Sequence, residues 1–471
     1  MAQTFFFYDL ETSGLNPRQD RIMQFAGQRT DMNLEPIGDP YNLLVTLNDD
    51  TLPSPDALMV TGITPQKTVE EGYSEAQFAR MLSEEIFTPE TIAVGFNNIR
   101  FDDEFIRHLL WRNFYDPYEW SWKDGRSRWD LLDVVRLTRA LRPEGINWPV
   151  DDKGEPSNRL ELITSANGIA HENAHDALAD VTALIAVTKL IKQKQPQLYD
   201  YLLKMRDKKL VQRLVNVDDK KPFVYASGRY DNEFAKTTVA FPLTTSRNGG
   251  VVVYDLRYDP TPFVGLSAEE LSAKIFASWE ERQAEDFVKL PVKELQYNRC
   301  PAVAPLGVLE QGDGWQKISL DAETIQKHQN ILLKHPDFAE KLRSIFENKP
   351  AFKKLPDPEA QLYDGFLNDR DRLRVEAVRN ADERELADFH PEFQDERLTP
   401  LLLHYKARNF PRSLSEDDLA QWEIWRAQHL QAQLPGFMAS LQRLASTATD
   451  EQQFILQELQ LWAEAVLPSS D

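Results

Sequence analysis

Four acids and one histidine carry the chemistry open to this chain. Asp9 and Glu11 lie one residue apart in FFFYDLETSG, residues 5–14. Asp102 stands in GFNNIRFDDEF, and His175 and Asp180 stand in NAHDALADV. Residues i and i+2 of a strand project to one side, so Asp9 and Glu11 point together. Side-by-side carboxylates repel unless a cation lies between them, and a hard divalent ion is the natural partner. Each motif alone has an ordinary explanation. D-x-E can be a solvated strand end, and acids opening a helix favour its macrodipole. That explanation is accepted for Asp103 and Glu104. His175 alone reads as a loop histidine, and Asp180 as a solvated helix acid. The conjunction is far more specific: D-x-E, D and D, with a histidine five residues before the last acid. Oxygen-only ligands select Mg²⁺ or Mn²⁺ over zinc. Paired ions about 3.5–4 Å apart clamp the attacking and leaving oxygens of a phosphodiester. A neutral histidine nearby takes the proton from the attacking water. Five residues on a continuous helix lie about 140° apart, so His175 is expected on the loop entering a helix that carries Asp180.

These groups need a scaffold. Residues 1–190 alternate strand-like and helix-like segments: FFFYDLE as a strand, AGQRTDMNLEPIGDPYNLLVTLN as a hairpin and TIAVGFN as a short strand. FDDEFIRHLLWRNF and AHDALADVTALIAVTKLIKQ have helical spacing. That order predicts an α/β layer. From about Pro222 to Pro305 the runs FVYASG, TTVAFPL, GGVVVYDL and FVKLPV predict a small β-rich domain, with a helix inserted at LSAEELSAKIFASWEER. From about Leu320 onward the pattern is helical, including DLAQWEIWRAQHLQAQL and EQQFILQELQLWAEAVL. The boundaries expected are 1–195, 196–350 and 351–471.

The chain has 471 residues, which implies two or three domains. No stretch reads as a membrane span, and the apolar start lacks the features of a signal peptide. One cysteine, Cys300, excludes an intrachain disulfide framework and fits a reducing cytoplasm. The formal charge of −21 argues against nucleic-acid binding as a whole-surface sum, but a local basic groove survives within such a sum.

DLET, NNIRFDDE and HDALAD resemble the histidine-type branch of the DEDD exonuclease superfamily. RNFYDPYEWSWKDGRSRWDLLDV, ALRPEGINWP, SANGIAHENAHDA and YKARNFP are similar to bacterial exonuclease I. The resemblance runs from residue 9 to about 411. It implies a ribonuclease H-like α/β nuclease domain, an SH3-like β-rich domain and a C-terminal helical domain, together forming a channel for single-stranded DNA. It also implies two Mg²⁺ ions (Mn²⁺ as a substitute) on Asp9, Glu11, Asp102 and Asp180, with His175 as general base. Glu11, Thr12 and Arg159 would meet the terminal nucleotide. The activity implied is 3′-to-5′ hydrolysis of single-stranded DNA to nucleoside 5′-monophosphates, in DNA repair and recombination.

The strand must also be held. RNFYDPYEWSWKDGRSRW mixes Arg112, Lys123, Arg126 and Arg128 with Phe114, Tyr115, Tyr118, Trp120, Trp122 and Trp129. Aromatics stack on any base and cations follow phosphates. About half of these aromatics are expected in the core. Tyr118, Trp122, Arg107 and Arg128 are the expected DNA contacts. Arg136, Arg139 and Arg142 recur at three-residue steps of a helix, and Lys208 with Lys209 lies at a domain junction. The resemblance further implies binding of the acidic C-terminal tail of single-stranded DNA-binding protein, for which Arg142 and Tyr201 are placed near the junction. A channel within one chain fits a monomer. Two other readings compete: an RNase or proofreading subunit, opposed by roughly 270 residues beyond one nuclease domain, and a non-catalytic strand binder, opposed by a complete set of acids that would only repel.

Overall fold

The computed structural model describes residues 2–171, 176–247, 249–349 and 354–468. It divides into two compact units, Met1–Ser127 with His171–Ile185 and Lys353–Asp471, and Arg128–Ala170 with Ala186–Phe352.

The first unit is built around the aromatic opening run. β1 (Thr4–Thr12) pairs antiparallel with β2 (Ile22–Thr30), which pairs antiparallel with β3 (Tyr41–Leu44). On its other side β1 pairs in parallel with β4 (Thr91–Gly95). β1 is therefore flanked on both edges, and Phe5–Tyr8 are fully buried. This is the burial expected of a continuous apolar strand with both faces covered. The expected hairpin is β2–β3, and the expected helix after TIAVGFN runs over Asp102–Arg112. Phe105, Ile106 and Leu109 of that helix pack with Phe6, Tyr8, Phe25, Phe78 and Phe87.

The C-terminal helices belong to the same unit. Helices Glu416–Ala445 and Asp450–Val466 bury Leu430, Phe437, Ile455, Leu459 and Trp462 against Met23, Leu47, Leu52 and Leu58. The first of these helices passes through Pro435, beyond the predicted stretch. An interior proline removes one helical hydrogen bond, and burial of Leu430 and Phe437 on either side of it offsets that loss. Beneath these helices lies a fully buried ionic lattice. Glu359 meets Arg408 at 2.5 Å, His404 Nδ1 at 2.8 Å and Arg21 at 2.9 Å. Asp50 meets Arg408 at 2.6 Å, and Glu75 meets Arg112 at 2.7 Å. All seven side chains are at most 4% exposed. A buried charge persists only when paired in this way.

A short strand, β5 (Ser127–Asp130), follows in sequence. The second unit contains the antiparallel sheet β10-β6-β7-β8-β9, from β6 (Phe223–Ala226), β7 (Thr237–Thr245), β8 (Val251–Asp255), β9 (Val292–Leu295) and β10 (Ala302–Pro305). Three of its strands sit where the sequence places them. FVKLPV does not: β9 begins at Val292, near its end, and continues through Leu295. Leu290 is buried outside any strand, so its side chain packs without extending the ladder. The inserted helix is two short ones, Ala268–Phe276 and Trp279–Arg282, each opened by a serine capping box. No helix among the described residues is long and apolar enough to cross a membrane.

Candidate active site

The strand end explains why an apolar segment carries acids. Along β1 burial is complete through Tyr8, while Asp9 and Glu11 are only partly covered. Asp9 pairs in register with Ala26 and Glu11 with Gln24, and the ladder slips between Glu11 and Thr12. Asp180 sits in the first turn of the helix Ala177–Lys194. Carboxylate oxygens of Asp9, Glu11 and Asp180 lie within 4.8 Å of one another. Asp102 opens the Asp102–Arg112 helix, 5% exposed, and its charge acts on both Asp9 and Glu11. The four acids that the sequence singles out are thus brought together. His175 lies outside the described residues.

Such crowding has an electrostatic cost. Burial, then the charges of Asp102, Glu11 and Asp180, hold the Asp9 carboxyl far above the usual carboxylate range. Burial, then Asp180, Asp102 and Asp176, push Glu11 up to about 8. Carboxylates packed this closely ionise together only with a cation between them. Oxygen donors converging from a strand and two helices fit a hard divalent ion. A second cluster, Asp357, Glu359 and His404, has similar spacing. Three arginines already neutralise that region, and it does not fit a metal.

The surroundings hold the acids in place. Thr12, 6% exposed, donates to the carbonyl of Gly14 at 2.7 Å. A Cβ at Gly14 would press on the Asp20 carboxylate, which would have to move. The turn then closes on Arg21: Ser13 N–H donates to the Arg21 carbonyl at 2.8 Å, and Arg21 N–H donates to Ser13 Oγ at 2.9 Å. Asp103 stands in the first turn of its helix, as expected, but does more than favour the macrodipole. It is fully buried and accepts from the Tyr8 hydroxyl and, at 3.1 Å, from the Asn98 amide. Tyr8 precedes Asp9 and Asp103 follows Asp102, so this contact fastens the strand carrying one acid to the helix carrying the other. Glu104 likewise accepts from Arg107 at 2.9 Å and from the Tyr363 hydroxyl. The sequence holds a faint signal for both: consecutive acids at one helix start cannot all face one way.

The expected strand-binding residues fall into two groups. Trp122 is 64% exposed, and Arg159 and Lys208 are exposed at the starts of helices Leu160–Ala166 and Lys208–Leu214. Tyr118 is half-buried, with the Arg107 guanidinium 5.6 Å from its ring centroid. Arg107 itself is 9% exposed and engaged with Glu104, and Arg128 is buried, donating to the Asn298 carbonyl at 2.9 Å. Burial leaves these two little surface to offer a strand. Arg112 is buried on Glu75, and Arg126 donates to the Phe87 carbonyl at 2.6 Å. Arg136 pairs with Asp133 at 2.6 Å and lies close over Gly228. Phe114, Trp120 and Trp129 are core, half of the six aromatics. Arg142 does not share the helical face of Arg136 and Arg139, because the helix ends at Leu141. It reaches the Val308 carbonyl at 3.4 Å and Gln311 at 3.3 Å, and the Tyr201 hydroxyl donates to the Val303 carbonyl at 3.1 Å.

Comparison with known proteins decides the family. Residues 6–188 match the Exonuclease family, 206–348 the Exonuclease I SH3-like domain and 356–466 the Exonuclease I C-terminal domain. Exodeoxyribonuclease I of Haemophilus influenzae is 41% identical over 450 residues, covering 95% of each chain. The chain belongs to the exonuclease I family. It is an exodeoxyribonuclease by that membership, with an α/β nuclease domain, an SH3-like domain and a helical C-terminal domain. The exonuclease I fold is matched closely in two solved structures of the Escherichia coli protein, one in complex with a dA16 oligonucleotide and one a zinc-bound complex with single-stranded DNA. Each is 38% identical with a TM-score of 0.94, covering 99% of this chain and all of the other.

Proposed function

We propose that this protein is a metal-dependent 3′-to-5′ exonuclease that degrades single-stranded DNA to nucleoside 5′-monophosphates. The observation that carries the reading is the convergence of Asp9, Glu11 and Asp180, with Asp102 beside them, at the end of a buried strand. These four acids would hold two divalent ions, Mg²⁺ by donor chemistry, with Mn²⁺ as a substitute. Bound there, the ions would supply charge to the attacking and leaving oxygens of the scissile phosphodiester. The remaining work belongs to the chain's own side chains. His175, by family resemblance, takes the proton of the attacking water. Glu11, Thr12 and Arg159 hold the terminal nucleotide. Tyr118 and Trp122 offer ring faces to bases, while Lys208 and Arg136 follow the backbone. The related complexes with single-stranded oligonucleotides support this substrate.

The three-domain division 1–195, 196–350 and 351–471 is retained, as is processive action by a monomer. Cytoplasmic location fits a chain whose single cysteine is a buried thiol. A role in DNA repair and recombination follows from the substrate. For the acidic tail of single-stranded DNA-binding protein, Arg142 and Tyr201 are apt because both address the segment 303–311.

The test is hydrolysis of a 5′-labelled single-stranded oligodeoxynucleotide with Mg²⁺ and with EDTA. A 3′-blocked strand, a matched RNA and the Asp180→Ala and His175→Ala proteins complete the set. Metal-dependent shortening from the free 3′ end, lost in both variants, is expected. Strand binding without cleavage across the divalent series would overturn the reading.

A further inference from the structure

The sequence directs attention to His175, yet the described structure joins a different histidine to the acids. Nε2 of His171 lies 2.6 Å from Oδ1 of Asp180, and the His171 side chain is 4% exposed. We propose that His171 is a positioning residue for the metal centre, fixing the Asp180 carboxylate in the orientation that the ion requires. The proposal rests on Asp180 being a metal ligand.

A carboxylate that holds a metal is ionised and only accepts hydrogen bonds, so with Asp180 as a ligand Nε2 of His171 is the donor. The bond is short, as bonds to ionised acceptors are. It is also screened from water by the burial of His171. The terminal torsion of an aspartate is broad and roughly two-fold, so an unrestrained carboxylate samples many orientations. One fixed oxygen removes that freedom. Asp180 needs the restraint because its side chain is 19% exposed and because the charges of Asp9 and Glu11 repel it. His171 is also unsuited to serve as the general base itself: its Nε2 is committed to Asp180 and its ring is shut from solvent. Histidine is thus used here as a fixed donor. Its nine-residue separation from Asp180 matches neither strand nor helix periodicity, which is why the spacing of the motif conceals it.

Partners of this kind, when removed, lower metal affinity by about 10- to 100-fold. The experiment is calorimetric titration of Mn²⁺ into the full chain, comparing the wild type with Asp180→Ala, His171→Ala and His171→Gln. Glutamine places an amide N–H close to the position of Nε2. The expectation is that His171→Ala weakens Mn²⁺ binding by about 10- to 100-fold and that His171→Gln recovers most of it. In parallel assays the His171→Ala protein should regain its turnover at raised Mn²⁺. A merely structural defect would lower turnover at every Mn²⁺ concentration. Wild-type affinity in His171→Ala, or no recovery in His171→Gln, overturns the proposal while leaving the metal reading intact. Undiminished binding in Asp180→Ala instead overturns the metal reading, and the proposal with it. If His171→Ala does not fold, His171→Gln decides: near-wild-type affinity supports the donor role and a tenfold loss refutes it.

Discussion

Replacing Glu359 with glutamine removes one charge and almost no volume from the buried lattice, and the result can be worked out from its contacts. Oε1 of Glu359 pairs with the Arg408 guanidinium at 2.5 Å and accepts from His404 Nδ1 at 2.8 Å. Oε2 accepts from Arg21 at 2.9 Å, with Arg112 Nε at 3.8 Å. Arg21, Arg112 and Arg408 are balanced by Asp50, Glu75 and Glu359. In Glu359→Gln one acceptor becomes an NH₂ facing existing donors, and a positive charge is left in excess away from water. Breaking one partner of a buried ion pair costs about 3–5 kcal/mol. Urea unfolding followed by tryptophan fluorescence should register that loss, since Trp422 and Trp425 lie beside Arg408 and His404. Limited proteolysis of the C-terminal helices gives a second probe for a chain of two units. Removing both charges, with Arg408→Met added, should cost less than the two single changes combined. The pH dependence fixes the sign. Burial raises the proton affinity of Glu359, but Arg408, Arg21 and His404 together outweigh it and hold the carboxyl well below its usual range. Its contribution is therefore complete above the unfolded value of about 4.3 and is lost as pH falls toward the folded one. The deficit of Glu359→Gln should be constant above about pH 5 and shrink in acid. A loss under about 1 kcal/mol, no more than an average point substitution costs, would refute the view that these charges balance one another.

Two further outcomes follow from the site. Glu11 is pushed up to about 8 and Asp9 is held well above its ordinary value, so the folded metal-free protein keeps protons that the unfolded chain releases above about pH 4.3. Stability from this pair therefore falls as pH rises through that window. In EDTA the melting temperature should be lower at pH 8.5 than at pH 6.5, with added Mn²⁺ restoring more at pH 8.5; an unchanged pH slope in Glu11→Gln would sink the attribution. The exposed Trp122 and the buried Trp120 should separate binding from stability. Trp122→Ala should lose about 1–3 kcal/mol of strand affinity by fluorescence anisotropy in EDTA and melt as the wild type does, while Trp120→Ala should lose about 3–5 kcal/mol of stability.

What the sequence made legible was what periodicity and local chemistry encode. The central place of β1 follows from Phe5–Tyr8, and the shared side of Asp9 and Glu11 follows from strand geometry. The helix after TIAVGFN follows from the spacing of Phe105 and Leu109. What stayed hidden depends on distant partners. Asp103 looks like a first-turn acid until Tyr8 and Asn98, 95 and 5 residues away, are seen to hold it. Arg107 and Arg128 look like DNA contacts because composition records charge but not the carboxylate or carbonyl that occupies it. Glu359 and His404 stand in no motif, and two of the arginines that Glu359 meets, Arg21 and Arg112, lie some 250 to 340 residues earlier. Yet this last group bears on the end of β1 that carries the clustered acids. Arg21 sends its side chain to Glu359 and its backbone to Ser13, two residues beyond Glu11. The C-terminal helical domain therefore helps to set the turn that follows Glu11, one of the acids proposed to hold metal, and its packing is part of how β1 presents its carboxylates.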